Sequence, residues 1–145
     1  MSLPWYVAAF AAAVVWGLHY PLLDHALKRI SLISVLLLTA VPIVLIALVS
    51  HRQVAADIAI ARSLPPSEQW GILIIALTGS AASILLLMSI SAKNATLASL
   101  IEISYPLFVA LFAYALFRES ALNPAVLFGA ALIFSGVGII IFNSR

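Results

Sequence analysis

Residues 31–49 read SLISVLLLTAVPIVLIALV, a run without one charged side chain. A helix that crosses a bilayer needs about 20 mainly apolar residues, and this run supplies them. It is read as a spanning helix, with a kink expected at Pro42, which cannot donate to the helical ladder. Four further stretches have the same character: residues 4–23, 70–92, 95–117 and 124–142. The predicted fold is all-α and integral to a membrane, with five transmembrane helices in one domain over residues 1–145.

Composition leads to the same place. The chain is 65% hydrophobic and 8% charged, against about 45–50% and about 25% in soluble domains. Its mean hydropathy is +1.21. A soluble enzyme, a disordered chain and an ordinary nucleic-acid binder are excluded. Seven basic against five acidic residues make no basic surface, so no nucleic acid is expected as a partner. There are no cysteines, hence no disulfide, thiolate metal site or cysteine nucleophile. His19, His25 and His51 lack the i, i+4 spacing of a helical zinc motif, and no metal is expected. A Gly-rich loop ending in Lys-Ser/Thr is missing too, so no ATP-driven step and no cofactor are expected.

The first stretch has small residues at Ala11, Ala12 and Ala13. No Lys or Arg precedes it and it continues into Trp16 and Leu18, so it is expected to be a retained helix and not a cleaved leader. The connections are short except residues 50–69, where Pro65 and Pro66 mark a stop. Within that link, residues 53–62 allow two readings: a short interfacial helix carrying Val54, Ile58 and Ala61 at helical spacing, or an ordered loop. Residues 93–94 form a tight turn, and Arg118–Glu119 reads as a loop salt bridge. Five spans put Arg52, Arg62 and Arg118 on one side and Lys28, Arg29, Lys93 and Arg145 on the other. That near-balance gives insertion no clear positive-inside instruction, and two copies inserted oppositely are expected to form an antiparallel homodimer.

An ionisable residue inside a span is costly and reads as functional by default. Glu102 lies about two turns into the fourth stretch and His19 late in the first. A carboxyl at that depth can exchange a proton or cation for a substrate; the rival reading is a protonated packing residue. Ser99, Glu102 and Tyr105 are three apart and share a face if the helix is continuous. Pro106 has no N–H for the carbonyl one turn earlier, that of Glu102. The first stretch repeats the idea with Tyr20 and Pro21, and Trp16 lies one turn from Tyr20. The candidate substrate or proton site is therefore Glu102, His19, Tyr105, Tyr20, Trp16 and Ser99, lined by the first, third and fourth helices. Trp5, Tyr6 and Trp70 read as interfacial anchors. Gly129 and Gly136 share a face of the fifth helix, which permits close helix approach.

Trp16–Gly17 with a following proline, the run Asn94–Ala95–Thr96–Leu97–Ala98–Ser99–Leu100, Tyr105–Pro106–Leu107–Phe108, Glu119 in the next loop, and the stretch from Gly129 to Val137 occur in an order that resembles one half of the drug/metabolite transporter superfamily, the EamA-type unit. The resemblance implies one half of a ten-helix fold. It also implies export or exchange of small metabolites, amino acids or drugs. Related four-helix multidrug proteins carry their exchanging Glu on the first helix, whereas Glu102 is on the fourth, so that role is not carried over by position. The expected function is a secondary transporter, proton-coupled and homodimeric, multi-pass in a bacterial inner membrane. The alternatives are a lipid-linked sugar flippase subunit or a non-transporting membrane assembly protein. Its partners are expected to be the lipid bilayer, a second copy of itself and a small-molecule substrate.

Overall fold

The structure, a computed structural model, describes residues 4–119 and 123–143. Arg145 of the loop count and residues 120–122 of the last connection lie outside the described residues. The elements in chain order are α1 (Trp5–Leu27), α2 (Leu32–Val49), α3 (His51–Ser63), α4 (Pro66–Ala92), α5 (Ala95–Glu102), α6 (Tyr105–Phe117) and α7 (Pro124–Asn143). Five helical stretches are long and apolar enough to cross a membrane: α1, α2, α4, α5 with α6 together, and α7. These are the five spans expected from the sequence. Their large apolar side chains point outward along most of each helix: Val49 is 84% exposed and Phe142 74%. In water that surface would oppose folding at about 25 cal/mol per Å². In hydrocarbon it is the matching solvent.

The chain divides into two compact units, Met1–Ala92 and Lys93–Arg145. In the first unit α1, α2 and α4 pack on one another, and Leu23, Val35, Leu87 and Ile90 are buried. α1 runs past the expected end at residue 23 because its last turn supports itself: Asp24 and Lys28, four apart, are joined at 3.1 Å. α2 starts at Ser31, which is extended (φ −67°, ψ 153°) and whose Oγ accepts from the Ser34 amide at 3.3 Å. Both α1 and α2 run unbroken through Pro21 and Pro42.

Of the two readings of residues 53–62, the helix is the one found. α3 is separated from α2 by the single residue Ser50 and touches α2 and α4. Its C-terminus is tied down by a neighbour. The Gln69 amide nitrogen donates to the carbonyls of Leu64 (2.8 Å) and Arg62 (3.2 Å). Leu64 is extended (ψ 158°), as the residue before a proline should be. Pro66 then opens α4, where a missing amide hydrogen costs nothing.

In the second unit α5 packs on α7, and the rings of Phe108 on α6 and Phe134 on α7 meet edge to face at 6.4 Å. Asn94 caps α5, its Oδ1 accepting from the Leu97 amide at 2.8 Å. One local expectation is corrected here. Arg118 does not pair with Glu119. It ends α6 in the left-handed conformation (φ 59°), and its guanidinium lies over the Tyr114 ring at 5.8 Å from the centroid. Gly129 and Gly136 mark no close helix approach within the chain, since a Cβ at either would meet nothing within 4 Å.

Candidate functional site

Hydroxyl groups in hydrocarbon must find a partner, and the nearest is their own helix. Thr78 donates to the Ile74 carbonyl at 2.8 Å and Ser135 to that of Ala131 at 2.8 Å. Thr39 on α2 donates to Leu36 (2.9 Å) and Ser83 on α4 to Gly79 (2.9 Å). These last two differ from the others in position. With Trp16 and His19 of α1 they line a cleft of about 90 Å³ between α1, α2 and α4, floored by leucines that include the buried Leu23 and Leu87. That is room for a few water molecules or a small head group, well short of the 300–1,000 Å³ of a drug-sized pocket.

The aromatic side of this cleft is built by helical spacing. Trp16, His19 and Tyr20 fall three and four apart on α1 and so face the same way. The Trp16 ring meets the His19 ring edge-on at 5.3 Å and the Tyr20 ring, tilted by 32°, at 5.4 Å. Trp16 is 51% exposed, His19 and Tyr20 half-buried.

The second unit carries the acid. The fourth span is not one helix: it stops at Glu102 and resumes at Tyr105, with Ile103 and Ser104 between. The cause is two residues downstream. The Pro106 ring opposes the carbonyl a turn before it, and its nitrogen has no hydrogen to give to that carbonyl, so Pro106 is accommodated in the first turn of a new helix that Tyr105 opens. The local backbone tightens in response. The Ser104 amide reaches only three residues back, to Ile101 at 3.2 Å, and its hydroxyl joins the same carbonyl at 2.8 Å. Ile103 still bonds Ser99 at 3.0 Å, closing α5. The three-residue register that would align Ser99, Glu102 and Tyr105 therefore runs only from Ser99 to Glu102. Those two are half-buried, while Tyr105 opens α6 and is 60% exposed.

Of the residues expected to form a site, Trp16, His19 and Tyr20 are gathered in the first unit, and Ser99, Glu102 and Tyr105 lie along the second. Sequence reasoning passed over Thr39 and Ser83, and with Thr39 the contribution of the second span to a cleft. The signal was present but weak. Thr39 is the one hydroxyl residue between Ser34 and Ser50, in a run otherwise wholly apolar. Among the described residues, no group of three or more His, Asp or Glu is placed to hold a metal ion.

A comparison with family models matches residues 3–142 to the EamA-like transporter family. Comparisons with curated proteins and with solved structures found no match. The matched residues run through both units, from ahead of α1 to the last turn of α7, and include the cleft and the interrupted span alike. With its five apolar spans, the chain is a multi-pass membrane protein and belongs to the EamA-like transporter family.

Proposed function

We propose that the chain is a proton-coupled secondary transporter that exports or exchanges small metabolites or drugs. In this reading it works as a homodimer in a bacterial inner membrane, moving its substrate without transforming it, and residues 1–145 act as one transmembrane domain. The observation that carries the reading is the interruption of the fourth span at its acid. Backbone loosened within a span must be satisfied by protein, by a nearby Ser or Thr side chain or by water in a cavity. Transporters build substrate and ion sites from such half-helices near the bilayer midplane. Glu102 is the last residue of α5, and the break follows it directly. A carboxyl there can release a proton as a substrate arrives and take one up as it leaves. Trp16, His19 and Tyr20 supply an apolar and aromatic surface for the substrate itself.

Reconstitution into liposomes with a panel of amino acids, amines, drugs and sugar phosphates tests the reading. Exchange of at least one solute is expected, accelerated by an imposed proton gradient. Movement of none, with or without the gradient, would favour a membrane assembly protein. Flipping of a lipid-linked sugar alone would favour the flippase reading.

A further inference from the structure

We infer that the cleft between α1, α2 and α4 is a binding site for a primary ammonium group carried on a short apolar stem. The inference rests on the transport reading for its biological role, but its chemistry comes from the cleft alone. Thr39 and Ser83 spend their only hydrogens on the carbonyls of Leu36 and Gly79. What each hydroxyl turns to the cleft is oxygen lone pairs, since a hydroxyl has one donor and two acceptor sites. The two hydroxyls thus act as acceptors, one from α2 and one from α4. Trp16 lines the same cleft with an aromatic ring, whose face attracts a cation through its quadrupole. His19 is the one titratable side chain in this lining, which holds no Lys, Arg, Asp or Glu. Neither hydroxyl has a hydrogen left for an anion, and the side-chain donors that remain in the lining are the ring N–H groups of Trp16 and His19.

An –NH3⁺ group has three donors and no acceptor, which matches this set. The leucine floor and the volume of about 90 Å³ fit a stem of a few carbons. An alcohol of equal size offers one donor and no charge, and a carboxylate offers none. Selectivity for the ammonium over the alcohol follows from the two acceptors.

Binding is read by the fluorescence of Trp16 in purified protein in which Trp5 and Trp70, the other two of the three tryptophans, are changed to Phe. The probes are butylammonium, 1-butanol and butanoate. Saturable quenching by butylammonium at concentrations at least about tenfold below 1-butanol is expected, because a hydrogen bond to a charged group is worth roughly ten-fold or more in affinity. The pair Thr39→Val and Ser83→Ala keeps the size of the cleft and removes both acceptors, so it should erase that preference. Equal quenching by all three probes, or a preference that survives in the double variant, overturns the inference. A phosphatidylethanolamine head carries the same ammonium. Nanodiscs of phosphatidylglycerol alone and of its mixture with phosphatidylethanolamine separate the sources. Weaker butylammonium binding in the mixture assigns the cleft to the lipid head, and unchanged binding assigns it to a soluble amine. Ammonium binding without movement of any solute in liposomes would retire the transport reading and leave this one standing. Transport of a solute that carries no amine, with no ammonium selectivity at Trp16, would do the reverse.

Discussion

Asp24 and Glu68 sit in the terminal turns of the spanning helices α1 and α4, where a charged head reaches the interface; Glu102 ends α5 but lies inside the span that α5 and α6 make together. It is the eighth residue of a stretch that spans Ala95–Phe117. An acid at the centre of a span costs about 2.5–3.5 kcal/mol against insertion, and one at this depth a good part of that. A function that needs its titration accounts for that cost; packing alone could be met by Gln, which keeps the shape and the hydrogen-bonding capacity. The Glu102→Gln variant is thus the sharpest probe of the residue. It should fold, reach the membrane and still exchange substrate down its gradient, while gradient-driven accumulation falls to background. A pH dependence unchanged from wild type would move the role to His19 or another group. Asn94 makes a different kind of contribution. Its side chain takes up one of the orphan amides at the start of α5. Asn94→Ala should cost about 1 kcal/mol, seen as a drop of a few degrees in thermal unfolding in detergent. Asn94→Asp, which keeps the acceptor, should recover most of it.

Among the elements, the spans were legible in the sequence because length and apolarity are enforced by the bilayer itself. Their ends were not, because a helix need not stop where the hydrocarbon does. α1 goes on to Leu27 through the Asp24–Lys28 pair, and α4 starts at Pro66, four residues before the apolar run that announced it. The prolines show where composition stops being informative. Pro21 and Pro42 lie within unbroken helices, whereas Pro106 coincides with a break that falls at Ile103 and Ser104. Which proline breaks a helix depends on whether neighbouring polar groups can re-satisfy the backbone, and the Ser104 hydroxyl on the Ile101 carbonyl is such a group. The candidate site was legible only in part for a similar reason. Charged and aromatic residues stand out in an apolar run, but two hydroxyls from separate helices become a cleft only once the helices pack. Restoring the missing amide tests the role of the break. Pro106→Ala should let one helix run from Ala95 to Phe117. Amide exchange at Ile103 and Ser104 should slow roughly fivefold, the yield of about one net hydrogen bond, and transport should slow with it. A healed helix with undiminished transport would show that the break is incidental.

For the whole molecule, the question is what lies against surface that one copy leaves open. Thr39 and Ser83 are exposed in the single chain, and no neighbour lies within 4 Å of a Cβ built at Gly129 or Gly136. Small residues of this kind allow helices of separate copies to approach closely. The basic residues, Arg52, Arg62 and Arg118 against Lys28, Arg29, Lys93 and Arg145, do not favour one orientation. Transporters with a midplane site often place it between two repeats of opposite topology, and a second copy inserted the other way would supply such a pair. Single cysteines in this cysteine-free sequence test dual insertion. Ser67 and Ser91 are the sites of choice: both are exposed, near opposite ends of α4. At 1.5 Å per residue they stand about 36 Å apart along the helix, more than the roughly 30 Å of the hydrocarbon core, so they emerge on opposite faces. Asn94 is a poorer site, because its side chain caps α5. Dual insertion predicts that Ser67→Cys and Ser91→Cys are each labelled by an impermeant reagent from outside intact cells, each to about half of its total. Labelling of one and full protection of the other would fix a single orientation, and a parallel dimer or a monomer would then describe the protein.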